Sequence, residues 1–174
     1  MARSRLDELY EKADAFFERV ATVHPTELAC ASGCHDCCAP GLTVTAVEAA
    51  AIEAYLASQS ERPALAHRAD RCAALGVDGR CTIYAARPLV CRTHGVPIRL
   101  GAEAGRRSLP MLDVCPKNFE GVDLTTLEPR VILDQATLST ILGAVDAAAG
   151  AEGVASRERV SIADLVRGAA GKPT

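Results

Sequence analysis

The chain has 174 residues, of which 49% are hydrophobic and 24% are charged, and its net charge is −3. This composition indicates a globular protein large enough to bury its own core, so it excludes a disordered chain and a miniature scaffold that needs disulfides. The mild net charge does not by itself indicate a nucleic-acid or membrane partner. Only 3% of the residues are aromatic, and a bound metal would help to organise a core built from small aliphatic side chains.

The N-terminal stretch "MARSRLDELYEKADAFFERV" lacks the apolar segment of a signal peptide. No apolar run approaches the roughly 18 residues that a membrane-spanning helix needs. The sequence therefore predicts a cytoplasmic protein without a membrane partner. In a reducing compartment, clustered cysteines are more often metal ligands or redox groups than disulfides.

Capping signals predict helices in the first part of the chain. Ser4 and Asp7 resemble a capping box at the start of a helix over residues 5–23, and Thr45 and Glu48 form a second such signal. The run "AVEAAAIEAYLAS" behind Thr45 predicts the second helix. A third helix is expected over Pro63–Leu75, with Gly76 ending it.

A hairpin and two helices are expected in the second part. The run "VPIRLGAEAGRRSLPML" predicts a β-hairpin with its tip between Gly101 and Gly105. Asp134 and Ser161 can cap two further helices, which are separated by a loop and lie within residues 134–168. The fold class is therefore mainly α, a small helical domain with one short β-hairpin and a metal-organised cysteine-rich loop region. We expect a single domain over residues 1–174, with a metal-binding region at about 30–119 flanked by helices 5–23 and 134–168.

Eight cysteines are the main functional signal of the sequence, and four of them fall in "CASGCHDCC". We predict all eight as metal ligands: Cys30, Cys34, Cys37, Cys38, Cys72, Cys81, Cys91 and Cys115. Eight thiols would fill two tetrahedral four-thiolate sites or serve one iron–sulfur cluster with spares. We expect the loop to supply the short-range ligands, and Cys81, Cys91 and Cys115 the long-range ones.

The adjacent pair Cys37–Cys38 bears on the number of metal ions. In an extended backbone consecutive side chains point apart, so both thiols could bind one ion only through a small, strained chelate ring. The pair favours two metals, or two irons of one polynuclear centre. Replacing either cysteine should then remove more than one thiolate's share of metal.

Other interpretations of single residues stay open in the sequence. Cys72, on the inward face of its predicted helix, has the alternative role of a small buried hydrophobe. His35 and His94 are candidate ligands, and an exposed or hydrogen-bonded imidazole explains each of them equally well.

The segment from Arg62 to Arg107 is basic, with nine arginines, no lysine and three acidic residues, a net charge of +6. Cations next to Cys72, Cys81 and Cys91 would stabilise thiolates, and arginine can also donate hydrogen bonds to sulfur. A basic face for nucleic acid is the alternative that we favour less, because aromatic residues and lysines are not interleaved with the arginines. A plain solvated surface is the third interpretation.

Three blocks, "CASGCHDCC", "DGRCTIYAARPLVCRTHG" and "VCPKNF", resemble the YkgJ-like cysteine-cluster family, which is named for its CxxCxxCC motif. The resemblance extends from about Cys30 to Phe119 and implies chelation of zinc or iron. Cys30 departs from the family spacing, because three residues rather than two separate it from Cys34. A related region in flagellin lysine methylases implies an iron–sulfur cluster, but we find no glycine-rich S-adenosylmethionine loop here and do not carry methylation over.

The sequence thus predicts a metal-chelating protein that binds iron, as an iron–sulfur cluster, or zinc, with a redox or metal-handling role. The adjacent cysteines and the surplus of thiols favour the cluster slightly. The alternatives are a metalloenzyme, for which His35, Asp36 and His94 offer acid–base groups, and a copper(I) or soft-metal buffer. The metal ion is the expected partner and a protein partner is open, as are the substrate, the grouping of the cysteines and the oligomeric state.

Overall fold

The computed structural model describes residues 4–61, 64–101, 111–151, 153 and 159–170. Within these ranges the helices are α1 (Arg5–Val23), α2 (Ala46–Ser58), α3 (Leu89–Arg92), α4 (Gln135–Ala151) and α5 (Ile162–Ala170). The strands are β1 (Thr43–Val44), β2 (Ile98–Leu100), β3 (Met111–Asp113), β4 (Leu133–Asp134) and β5 (Val160–Ser161). None of the helices in these ranges has the length and apolar content that a bilayer crossing requires. The protein is broadly helical, and its contacts divide it into two compact units.

The first unit comprises Met1–Cys30 and Leu89–Ala144. Helix α1 begins where predicted, because the Ser4 side chain accepts a hydrogen bond from the Asp7 amide at 3.1 Å while the Asp7 carboxylate accepts the Ser4 amide at 3.2 Å. Its apolar stripe is buried, with Val20 fully enclosed. The prediction of a helix over residues 5–23 is confirmed.

A hydrophobic cluster in the core of the first unit is formed by the buried residues Val20, Val96, Phe119, Val131 and Leu133, and the rings of Phe16 and Phe17 pack against it. A three-stranded sheet in the order β3-β2-β4 lies in the same unit, with β2 antiparallel to β3 and parallel to β4. The two arms of the predicted hairpin are therefore confirmed as β2 and β3. Most of its predicted tip, from residue 102 onward, lies outside the described residues.

Helix α3 attaches to α1 through a buried arginine. Arg92 is only 8% exposed, and its guanidinium forms an ion pair with Asp14 at 2.5 Å and lies over the Tyr10 ring at 4.1 Å from the ring centroid. A buried cation needs such compensation, because an unpaired charge in this position would be strongly destabilising. Arg92 thus has a structural partner of its own within this unit.

The second unit comprises Ala31–Pro88 and Val145–Thr174. Its core brings α2 and α5 together around residues that include Ile52, Ile83 and Ile162. Strands β1 and β5 pair antiparallel beside this core, with Thr43 opposite Ser161. Helix α2 starts where predicted, because the Glu48 carboxylate accepts the Thr45 amide at 3.1 Å.

The predicted third helix, Pro63–Leu75, is wrong. Leu65 forms an antiparallel bridge with Gly76, and the Ala66 amide donates to the Leu75 carbonyl at 2.8 Å, so the described part of this stretch is a closed loop. His67 has a positive φ of 49°, which a helix cannot accommodate. Pairing across the loop has overridden the helical propensity of its alanines.

Candidate metal centre

The short-range cysteines lie on a loop made of consecutive tight turns. The Cys34 amide donates to the Ala31 carbonyl at 3.0 Å and the Cys38 amide to the His35 carbonyl at 2.9 Å. Gly33, with φ of 90°, supplies the left-handed residue that the first turn requires. The backbone at the adjacent pair is therefore a turn and not the extended strand that the sequence argument assumed.

Two further cysteines lie on the segment that packs beside this loop. Cys72 is within the closed loop that ends at Gly76, and Cys81 follows it. The Cys72 amide donates to the Cys38 carbonyl at 2.8 Å, which joins the two segments directly. Cys81 is fixed in turn by its antiparallel bridge with Leu75. Both thiols are half-buried against the core of the second unit, whereas Cys37 is exposed.

The Cys38 thiol lies at the centre of this group. A hydrogen bond with the Cys37 thiol is the largest of the influences that raise the pKa of Cys38, followed by burial. The nearby sulfurs of Cys81 and Cys72 raise this pKa further, because neighbouring negative charges oppose its ionisation. Four thiols, Cys37, Cys38, Cys72 and Cys81, thus interact electrostatically, and we call them the thiol group.

Two of these sulfurs are already hydrogen-bonded by backbone amides. Burial raises the pKa of the Cys72 thiol, and the Ala74 amide opposes this rise. Burial likewise raises the pKa of Cys81, opposed by the Ile83 amide and by the positive charge of Arg87. Amide donors two residues after a cysteine stabilise the thiolate form, which is the form that binds a metal.

The chemistry of the thiol group fits a soft or borderline metal ion, since thiolates are the preferred ligands of zinc and of iron–sulfur centres. In the part of the chain that the structure describes, no three His, Cys, Asp or Glu side chains are arranged as a coordination sphere. The four thiols are gathered but not closed around one point. The predicted metal-organised loop therefore remains a prediction.

Cys30, Cys91 and Cys115 belong to the first unit. Cys30 is exposed, and the Asn118 amide donates to its sulfur at 3.2 Å. Asn118 is 2% exposed, accepts the Ala29 amide at 2.9 Å and donates to the Gly95 carbonyl at 2.6 Å. This buried side chain fixes the backbone beside Cys30.

Asn118 was missed in the sequence, where only its position in the "VCPKNF" block marked it. Gly95 complements it: with φ of 105°, a Cβ there would lie 2.9 Å from the Cys30 sulfur and 3.2 Å from the Asn118 amide nitrogen. Only glycine allows the two segments to approach this closely. This arrangement explains why a glycine follows the "CRTH" motif.

A groove of about 370 Å³ in the first unit includes Cys115, His94 and Asp113 in its lining. Cys91, on α3, is half-buried.

In the second unit, the His35 ring nitrogen Nδ1 lies 3.0 Å from the Gly33 carbonyl of its own loop. This contact accounts for the ring without a metal, and Cys34 on the same loop is exposed.

The comparison with known families points to the same metal chemistry as the crowded thiols. Residues 29–109 match the family model described as "CxxCxxCC: Putative zinc- or iron-chelating domain". The matched family is the one that the resemblance of the cysteine blocks indicated. The match includes seven of the cysteines, and Cys115 lies outside it. No curated protein and no solved structure gives a significant match to the chain.

Proposed function

We propose that this protein is a zinc-chelating protein in which the thiol group holds one tetrahedral ion. Cys37, Cys38, Cys72 and Cys81 supply the four thiolates that a closed zinc site takes. When bound, the ion would cross-link the loop that carries Cys37 and Cys38 to the segment that carries Cys72 and Cys81. It would also neutralise the negative charge of the four thiolates. Cys30, Cys91 and Cys115 remain predicted ligands in the first unit, whereas Cys34, the fifth cysteine of the second unit, is not a ligand of this four-thiolate site.

Two backbone contacts carry this proposal: the Cys72 amide donates to the Cys38 carbonyl at 2.8 Å, and the Cys38 amide donates to the His35 carbonyl at 2.9 Å. These contacts place Cys37, Cys38 and Cys72 on adjoining segments, from which their thiolates can bind one ion. The turn at Cys38 removes the reason for assigning the pair to two metals. Closed four-thiolate zinc sites contribute folding energy, so the role supported here is structural or metal-handling.

An iron–sulfur cluster is the second candidate, and Cys34 favours it. The second unit holds five cysteines, one more than a tetrahedral ion requires. A cluster with a ligand to spare could exchange electrons or sense redox conditions. The two candidates differ in colour and in acid-labile sulfide.

The test is metal analysis of the anaerobically purified wild-type protein and two variants, Cys38→Ser and Cys34→Ser. We expect a colourless wild-type protein with zinc and no acid-labile sulfide. Cys38→Ser should lose more than about a hundredfold in zinc affinity, because losing a ligand costs more than losing an outer-shell partner. Cys34→Ser is the matched control on the same loop and should bind zinc like the wild type.

Other outcomes would contradict the proposal in distinct ways. A brown protein with stoichiometric sulfide would replace zinc by the cluster. Stoichiometric copper would support the soft-metal buffer instead. Equal zinc binding by the wild type and Cys38→Ser would remove the thiol group as the site.

A further inference from the structure

Arg71, which precedes Cys72, has an unusual hydrogen-bonding state. Among the buried side-chain nitrogen and oxygen atoms of the described residues, the Arg71 Nε atom is the one without a hydrogen-bond partner. A buried polar atom of this kind needs an explanation, because most such atoms in folded proteins are paired. The Arg71 side chain as a whole is 28% exposed.

The neighbouring carboxylate does not satisfy this nitrogen. The Asp70 oxygen nearest to Arg71 Nε lies 3.7 Å away, beyond hydrogen-bond distance. Both Asp70 oxygens are instead held by the Arg68 guanidinium, at 3.1 and 2.8 Å. Asp70 is thus paired with Arg68, and the Nε of Arg71 has no hydrogen-bond acceptor.

The Arg71 guanidinium is directed toward the loop that carries Cys37 and Cys38. Its Nη1 donates to the Asp36 carbonyl at 3.4 Å, and the next residue is Cys37. Arg71 therefore joins the segment that carries Cys72 to the loop that carries Cys37 and Cys38. These two segments also share the backbone hydrogen bond from Cys72 to Cys38.

We propose that Arg71 is a positioning residue of the metal centre, and that its Nε donates a hydrogen bond to a thiolate of the thiol group when the metal is bound. The inference rests on the proposed function. Four thiolates around a divalent ion carry a net negative charge, which a neighbouring guanidinium offsets. The bond would also fix the orientation of the sulfur, as outer-shell donors do in metal sites.

Three variants of the full chain test this role: Arg71→Gln, Arg71→Lys and Arg167→Gln. Zinc affinity is measured by competition with a chromophoric chelator, and the thiolate-to-metal absorption band is recorded after cobalt(II) substitution. Arg71→Gln should lose about tenfold in zinc affinity, within the range for an outer-shell partner. Its band should move to longer wavelength, because a sulfur that loses a hydrogen bond becomes a stronger donor.

Arg71→Lys keeps the charge without the Nε donor, so its affinity should fall between those of Arg71→Gln and the wild type. Arg167 is an exposed arginine of the same unit, paired with Asp164 at 2.9 Å, and its variant should match the wild type.

A merely structural role of Arg71 would lower the stability of the metal-free protein without moving the band. An Arg71→Gln protein with wild-type affinity and band would overturn the inference while leaving the zinc site intact. A wild-type protein that binds no zinc would overturn both.

Discussion

Backbone hydrogen bonds at single residues decide which cysteines lie together. The thiols of Cys37 and Cys38 are adjacent in sequence, and a turn directs them to the same place. Cys72 enters the group through a backbone hydrogen bond that sequence spacing could not reveal. The cysteines could therefore be predicted as ligands from the sequence, but their grouping depends on backbone contacts between distant segments.

Asn118 provides a residue-scale prediction that does not depend on the metal. Asn118→Ala should lower the free energy of unfolding by about 2–3 kcal/mol, because it removes the partners of the partly buried Ala29 amide and of the buried Gly95 carbonyl. Urea unfolding monitored by circular dichroism measures this loss. Gln59→Ala, which removes an exposed side-chain amide, should cost less than 0.5 kcal/mol, as surface changes away from such features usually do. A loss no larger than that of Gln59→Ala would show that Asn118 does not hold this backbone in place.

At the scale of elements, the sequence predicted the start of a helix correctly where the capping hydrogen bonds join residues close together in the chain. The helices after Ser4 and Thr45 were predictable because the capping residues lie three positions apart in sequence. The stretch before Gly76 was not, because a bridge to Leu65 decides its conformation. The alanines there favour a helix, but burial of Ala74 and Leu75 in a closed loop outweighs this preference.

Helix α2 has a second cap that the sequence did not indicate. The Asp146 carboxylate accepts the Val47 amide at 2.8 Å, in the first turn of the helix, where a negative charge also opposes the positive end of the helix dipole. Asp146→Ala should therefore lower the free energy of unfolding by about 1 kcal/mol. Thermal unfolding of both this variant and Asp164→Ala, which removes an exposed ion pair, would measure the difference. Equal melting temperatures for the two variants would refute the capping role.

At the scale of the whole molecule, the two units divide the cysteines into five and three. The sequence placed Cys81 with Cys91 and Cys115 as long-range ligands, whereas the structure places Cys81 in the unit of the short-range loop. Arg87, from the basic segment, lies in that same unit, and its positive charge lowers the pKa of the Cys81 thiol. This one arginine favours the thiolate form of Cys81, and the same role for the other arginines of the segment stays a prediction.

We propose that four thiolates bind one ion, and X-ray absorption at the metal edge of the purified protein tests this directly. We predict a zinc edge with four sulfur neighbours at about 2.3 Å and no second metal in the next shell. An iron edge with a neighbouring iron would contradict the claim, and so would a zinc shell with nitrogen or oxygen in place of sulfur.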